Sequence, residues 1–237
     1  MNRVLLVAHR EIKSAIASPV FFVIGTMFLI LAGFFFFNIL ILSQGELTIR
    51  YVMGNLAVIM LFVSPLITMR TFTEEKRQGT FEMLMTSPLT SGQLVLGKFL
   101  GVLAFHLLIL AFTLEYWLIL ERLGEPDRGP IMAWYLGLLL MTMAFSAVGI
   151  FASSVAESQM GAAGVGFGIL LLLYVLRWVE DMGGSIGKVL FQLSVSAHVE
   201  EFEKGVIDST DLLYFGLFTA VFLFLTARVI ESRRWSG

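Results

Sequence analysis

The sequence contains no cysteine in 237 residues, which excludes a disulfide framework, a thiolate metal site and a cysteine nucleophile. Charged residues are also scarce, at 14% of the chain, whereas soluble proteins usually carry about 25%. Hydrophobic residues make up 57% and include 22 Phe and 12 Met. A chain of this length cannot bury so much apolar surface in its own interior, so lipid must surround much of it.

Six long runs in the sequence carry almost no charge, and each is close to the roughly 20 residues that cross a bilayer core as a helix. They predict an all-α integral membrane protein that forms a single domain over residues 1–237, with both termini on the same side. The predicted spans cover about 19–42, 51–69, 101–120, 131–153, 160–176 and 212–230.

The distribution of Lys and Arg predicts the orientation of the chain. Ten of the sixteen basic residues fall on the side that holds the termini, and eleven of the eighteen acids fall on the opposite side. Because Lys and Arg are retained preferentially in cytoplasmic segments, we expect both termini to be cytoplasmic. The expected location is therefore the inner, cytoplasmic membrane, crossed several times.

Residues 1–17 precede the first span and predict an interfacial amphipathic helix. One face of this helix is apolar and another is basic: Leu5, Ala8, Ile12 and Ile16 lie on the first, and Arg3, Arg10 and Lys13 on the second. The alternative is a solvated tail.

The segment 70–100 is the longest predicted cytoplasmic connection. The second predicted span continues as a helix to Arg77, and Gly79 suits the position just past a helix end. A short helix over 81–86 follows, with Phe81, Met83, Leu84 and Met85 expected to be exposed. The pair Ser87-Pro88 ends it, because a residue before proline avoids the helical conformation.

The stretch "SGQLVLGKFLG", residues 91–101, is a near match to the phosphate-binding loop G-x-x-x-x-G-K-[ST]. Thr90 and Gln93 instead form the pattern of a capping box, so this stretch is expected to begin the third membrane helix. Phe99 also replaces the hydroxyl that would bind Mg²⁺. We therefore predict no nucleotide site here. Lys98 is expected to anchor the helix at the membrane edge, and Gly97 and Gly101 to allow close helix packing.

A short apolar helix between charged residues at the mouth of the membrane requires something to cover it. Exposed apolar patches rimmed by polar groups mark interaction sites. The residues themselves leave two possibilities open, which are a protein partner and the lipid surface.

The stretch "EEKRQGTFEMLMTSPLTSGQLVLGKFL" resembles the cytoplasmic signature of type-2 ABC exporter permeases, and the similarity extends through all six predicted spans. The stretch "SAHVEEFEKGVIDSTDLLYF" is similar to the permease subunits of the gliding-motility-associated ABC transporter. This resemblance implies that the helix over 81–86 is a coupling helix that docks into an ATPase. The implied coupling residues are Glu74, Glu75, Lys76, Arg77, Gly79, Thr80, Phe81, Glu82, Leu84, Ser87 and Pro88.

The resemblance also implies partners. It implies two permease subunits, identical or related, and two separate ATPase subunits that hold ATP and Mg²⁺, so this chain carries no cofactor and is not itself an enzyme. An extracytoplasmic accessory protein and membrane lipid are further expected partners, and nucleic acid is not. The alternative function is a non-transporting scaffold or mechanotransmitter that relays ATPase cycles to extracytoplasmic partners. A secondary transporter is a third option, and Glu115 is the only residue that supports it.

Two ionisable residues, His106 and Glu115, lie within the third predicted span, where such groups are candidates for function by default. Their spacing of nine places them on opposite helix faces. They are interpreted either as structural, through pairing or snorkelling, or as part of a transport pathway. Gly161, Gly164 and Gly168 predict a packing seam, either for another helix of the chain or for a second subunit.

The loop 177–211 is too long for a simple turn, and Ile186, Val189, Leu190, Leu193 and Ala197 keep helical spacing. It predicts amphipathic helices at the outer face, and the resemblance implies re-entrant ones. Ser196, His198 and Glu200 lack the nucleophile turn and oxyanion loop of a hydrolase. Three scattered histidines likewise predict no metal site.

Overall fold

The computed structural model describes residues 3–42, 50–124, 126–178 and 184–235, and within these ranges it contains eleven α-helices. Residues 179–183 of the predicted outer loop and the side chain of Ile186 lie outside this description. In chain order the helices are α1 (Arg3–Ala17), α2 (Pro19–Leu42), α3 (Arg50–Thr68), α4 (Arg70–Arg77), α5 (Phe81–Met85), α6 (Ser91–Leu123), α7 (Arg128–Val155), α8 (Gln159–Val175), α9 (Gly184–Gln192), α10 (Val195–Glu203) and α11 (Ser209–Trp235).

Six helical stretches among the described residues are long and apolar enough to cross a membrane, which confirms the predicted all-α fold with six spans. The second stretch joins α3 and α4, with a turn at Met69 four residues after Pro65. The stretches are Pro19–Ile41, Gly54–Arg77, Ser91–Leu123, Arg128–Val155, Gln159–Trp178 and Ser209–Arg234.

Helix α7 forms the centre of the bundle, and α3, α8 and α11 pack around it. Small residues allow this close approach: a Cβ added to Gly149 would lie 2.0 Å from Thr68 Oγ1 on α3. In the most apolar stretch of α7, 72% of the residues are buried, whereas only 17% are buried in the corresponding stretch of α8. The outer faces of α2, α8 and α11 are thus available to lipid or to another chain.

Helix α1 packs along the first turns of α6 through Val4, Val7, Ala8 and Glu11. Only part of the apolar face expected from the sequence is buried: Ala8 is buried, whereas Leu5 and Ile16 are more than half exposed. The small residues on α6 determine which side of α1 packs against it. Helices α1, α4 and α5 and the end of α11 lie at one end of the bundle, which we call the terminal face.

Helices α9 and α10 occur at the opposite end, where α10 packs on α7. Phe202 of α10 is fully buried against Gly137, where an added Cβ would lie 2.6 Å from Phe202 Cγ. His198 pairs with Asp211 of α11 and stacks on Tyr214 at 3.8 Å between ring centroids. Asp208 lies just before α11 and accepts a hydrogen bond from the Thr210 N–H, which lowers the pKa of the Asp208 carboxyl.

Candidate functional site

The candidate site is the segment from α4 to the start of α6, at the terminal face. Helix α4 ends in a Schellman motif: the Gly79 N–H donates to Lys76 O at 3.2 Å, and the Thr80 N–H donates to Glu75 O at 3.0 Å. Gly79 has φ +70°, a left-handed conformation that glycine adopts without steric cost. This motif turns the chain and sets the direction of α5.

Helix α5 exposes less apolar surface than the sequence predicts. Phe81 turns inward and packs edge-on against the buried Phe72 at 6.4 Å between ring centroids. Leu84 and Met85 also pack partly against the core, whereas the Met83 side chain is 73% exposed. A five-residue helix anchored on one side can present only one apolar residue fully, so Met83 and the neighbouring, exposed Glu82 form its outward face.

The turn after α5 is held by arginines from both ends of the chain. Arg3 Nη1 donates to Pro88 O at 2.6 Å, and Arg234 donates to Leu89 O at 3.2 Å and Ser87 O at 3.4 Å. Sequence reasoning missed both arginines. Their only signal was the excess of basic residues near the termini, which does not identify a partner.

Helix α6 begins with a complete capping box. The Gln93 N–H donates to Thr90 Oγ1 at 3.2 Å, and the Thr90 N–H donates to Gln93 Oε1 at 3.2 Å. The residues Gly92 to Lys98 are therefore helical, and their N–H groups point along the helix axis and do not converge on an anion.

Lys98 is buried and ion-paired, which corrects the expectation of an anchor at the membrane edge. Its side chain is 1% exposed, and its Nζ lies 2.8 Å from both Glu11 Oε1 and Glu75 Oε1. It also donates to Thr71 O at 2.7 Å. All three ammonium protons are thus used, and they join α1, α4 and α6.

A second set of polar contacts ties α4 to the turn between α7 and α8. Lys76 Nζ donates to Ser154 O and Ala156 O, each at 2.7 Å. These carbonyl groups are at the end of α7, where a cation is favoured by the helix dipole. Glu74 accepts hydrogen bonds from Arg77 at 2.7 Å and from Gln159 next to this turn.

Gly97 and Gly101 both face α1. An added Cβ would lie 2.5 Å from Val7 Cβ at the first glycine and 2.4 Å from Glu11 Cβ at the second. Contacts below 3.0 Å require the neighbouring atoms to move, so α1 can approach this closely only because both residues lack a side chain.

Gly161, Gly164 and Gly168 do not pack against another of the described helices. An added Cβ at Gly164 or Gly168 would meet no described atom within 4 Å, and at Gly161 it would meet only the preceding turn. The described residues therefore show no packing seam within the chain at these three positions, and the second possibility, an interface to another subunit, stays a prediction. The neighbouring Gly166 is the residue of this stretch that faces α7 and Pro65.

His106 and Glu115 occupy different environments, as their spacing predicts. His106 is fully buried, and its ring lies 3.1 Å from Ser64 Oγ and 3.3 Å from Ser146 Oγ. Its contacts join α3, α6 and α7. Glu115 is exposed on the surface of α6, without a hydrogen bond or ion pair to another described residue. The structure does not bring the two together.

The site is therefore a segment held by several helices. The turn after α5 is bonded to α1 and α11, and α4 before it is bonded to α6 and α7. Among the described residues no cluster of three or more His, Cys, Asp or Glu side chains is placed to hold a metal ion.

A family model described as "ABC-2 family transporter protein" matches residues 42–228, which include the whole segment from α4 to α6. None of the curated proteins matches the chain significantly.

Proposed function

The chain belongs to the ABC-2 family of transporter proteins, and from this membership we propose that it is an exporter permease driven by separate ATPase subunits through α5. The family and the six apolar helices make the protein a multi-pass membrane component of an ABC transporter. The direction of transport, the coupling helix and the partner subunits are our proposal.

The observation that supports this proposal most directly is the exposure of Met83 on α5. Met83 is 73% exposed in the middle of a helix that is held on both sides. A rigid exposed apolar residue suits an anchor in a partner's pocket. The contacts of Lys76, Lys98 and the two arginines then carry the movement of the partner into the spans.

We place ATP and Mg²⁺ on the ATPase subunits and the terminal face in the cytoplasm of an inner-membrane protein. A second permease subunit completes the pathway, and the open face of Gly164 and Gly168 on α8 is available to it. The resemblance of residues 196–215 supports our placing the chain among the gliding-motility-associated permeases. Helices α9 and α10 would then face an extracytoplasmic partner.

The test is the recovery of the ATPase with an affinity-tagged chain. Replacing Met83→Asp would introduce a charge that the interface must desolvate, which costs several kcal/mol when the charge is unpaired. We expect recovered ATPase and ATP hydrolysis to fall about tenfold or more, since tenfold corresponds to about 1.4 kcal/mol.

The control is Val206→Asp, which changes a half-exposed valine near the opposite end of the bundle and should leave ATPase recovery unchanged. Both variants should show the same thermal unfolding, because neither side chain belongs to the core. Full recovery of the ATPase with Met83→Asp would contradict the assignment of α5.

A further inference from the structure

A cleft of about 640 Å³ opens at the terminal face between α4, the α7–α8 turn and the end of α11. Pockets that bind ligands commonly measure about 300–1,000 Å³, so this volume accommodates several side chains. Its lining includes Lys76, Arg77, Glu157, Met160 and Arg233.

The cleft is electropositive. It has three cationic side chains and one acidic side chain. Lys76 directs its ammonium group at the carbonyl groups at the end of α7. The Arg77 side chain is 71% exposed, with one contact to Glu74, and Arg233 donates one bond to Val155 O. Both guanidinium groups keep further donors for an incoming acceptor.

Met160 forms an apolar rim beside these charges. It is 84% exposed, more than any other large apolar side chain among the described residues. It lies in the first turn of α8, two positions after the N-cap Ser158. A basic cleft bordered by an exposed methionine suits an acidic protein segment that also carries an apolar residue.

The cleft adjoins α5 through Lys76, which lines it. Lys76 lies 5.7 Å from the centroid of the Phe81 ring, and Arg77 leads through Gly79 into α5. A subunit seated on Met83 would therefore lie directly beside the cleft.

We infer that this cleft is a second docking site for the ATPase subunit, which inserts an acidic segment between Arg77 and Arg233 and packs an apolar side chain on Met160. This inference rests on the proposed function, because it presumes an ATPase on α5. A cation-lined surface also attracts anionic lipid headgroups. Lipid contact is the competing outcome of the test.

The absence of cysteine from the chain makes single-cysteine photo-cross-linking clean. We would introduce Met160→Cys, Met83→Cys or Met132→Cys, label each with benzophenone maleimide and irradiate the purified complex in a lipid nanodisc. Met132 is 60% exposed near the start of α7, at the opposite end of the bundle, and is the matched control.

We expect the variants at 160 and 83 to cross-link to the same polypeptide, which mass spectrometry identifies by its ATP-binding-cassette sequence, and the variant at 132 not to do so. A product at 83 but none at 160 would overturn the inference and leave the proposed function intact. Cross-links from 160 to lipid alone would also overturn it. An absence of cross-links to the ATPase at both positions would contradict the proposed function as well.

Charge neutralisation gives an independent readout. The double variant Arg77→Gln with Arg233→Gln should raise the Kd for the ATPase about three- to tenfold at low salt and less at high salt, as expected for exposed ion pairs. The control is Arg122→Gln with Arg128→Gln, which removes two exposed charges at the opposite end. Equal effects of the two double variants would contradict the docking of an acidic segment.

Discussion

Lys98 and Glu75 are 23 positions apart in the chain, yet Lys98 Nζ and Glu75 Oε1 lie 2.8 Å apart where the lysine side chain is only 1% exposed. The pair joins α6, which continues into a membrane span, to α4, which leads into α5. Glu11 completes it from α1. One buried ammonium group therefore links α4 to two further helices.

Removing this ammonium group should be strongly destabilising. Lys98→Met leaves Glu75 buried without its charge partner, and breaking a buried ion pair in this way costs about 3–5 kcal/mol. We expect a lower thermal unfolding temperature in detergent. Lys98→Met combined with Glu75→Gln should recover part of the loss, since a neutral amide is less costly to bury. An unchanged unfolding temperature for the single variant would refute the ion pair.

The contact between α1 and α6 is expected to depend on glycine. Gly97→Ala would place a Cβ 2.5 Å from Val7 Cβ and 2.9 Å from Val4 O, and overpacking of this kind costs about 1–3 kcal/mol. The control Gly92→Ala lies on the same helix with no atom within 4 Å. The thermal unfolding temperature should fall for Gly97→Ala only. Equal behaviour of the two would show that α1 does not pack here.

The turn at Gly79 should influence coupling through its backbone conformation. At φ +70° an alanine costs about 1–2 kcal/mol, whereas asparagine tolerates this region better. Gly79→Ala should therefore weaken ATPase binding by a factor of about 5–30, and Gly79→Asn should weaken it less. The measurement is the Kd of each purified variant for the ATPase. The opposite order of the two variants would be inconsistent with a left-handed turn in the bound state.

His106 and Glu115 should respond differently to neutral substitutions. His106→Leu removes the partner of the buried Ser64 hydroxyl, and an unsatisfied buried polar group costs about 1–3 kcal/mol. Glu115→Gln changes an exposed side chain and should shift stability by less than about 0.5 kcal/mol. Thermal unfolding of both variants distinguishes a structural His106 from one that can be replaced freely.

Local patterns in the sequence predict much of the helical architecture. Long uncharged runs predict the six spans, and the pairs Thr90/Gln93 and Gly79/Pro88 predict where helices begin and end, because these signals act within a few residues. The contacts of Lys98 with Glu11 and of Arg234 with Ser87 and Leu89 are not predictable in this way. They join residues 87, 145 and 147 positions apart, and helical periodicity does not encode which helices meet.

The exposed surface of α5 shows the same limit. Periodicity identifies Phe81, Met83, Leu84 and Met85 as apolar, but only the position of Phe72 on α4 decides that Phe81 turns inward. The open face at Gly164 and Gly168 follows equally from tertiary placement, since the same small residues could have met another helix of the chain.

The central claim is that α5 is cytoplasmic and covered by the ATPase. The most direct test labels Met83→Cys, the only cysteine in the chain, with a membrane-impermeant maleimide in inside-out and right-side-out vesicles. We predict that the cysteine is labelled only in inside-out vesicles. Added purified ATPase should protect it from labelling, and a competing soluble peptide covering residues 79–90 should reverse this protection. Labelling in right-side-out vesicles, or labelling that bound ATPase does not reduce, would contradict the account.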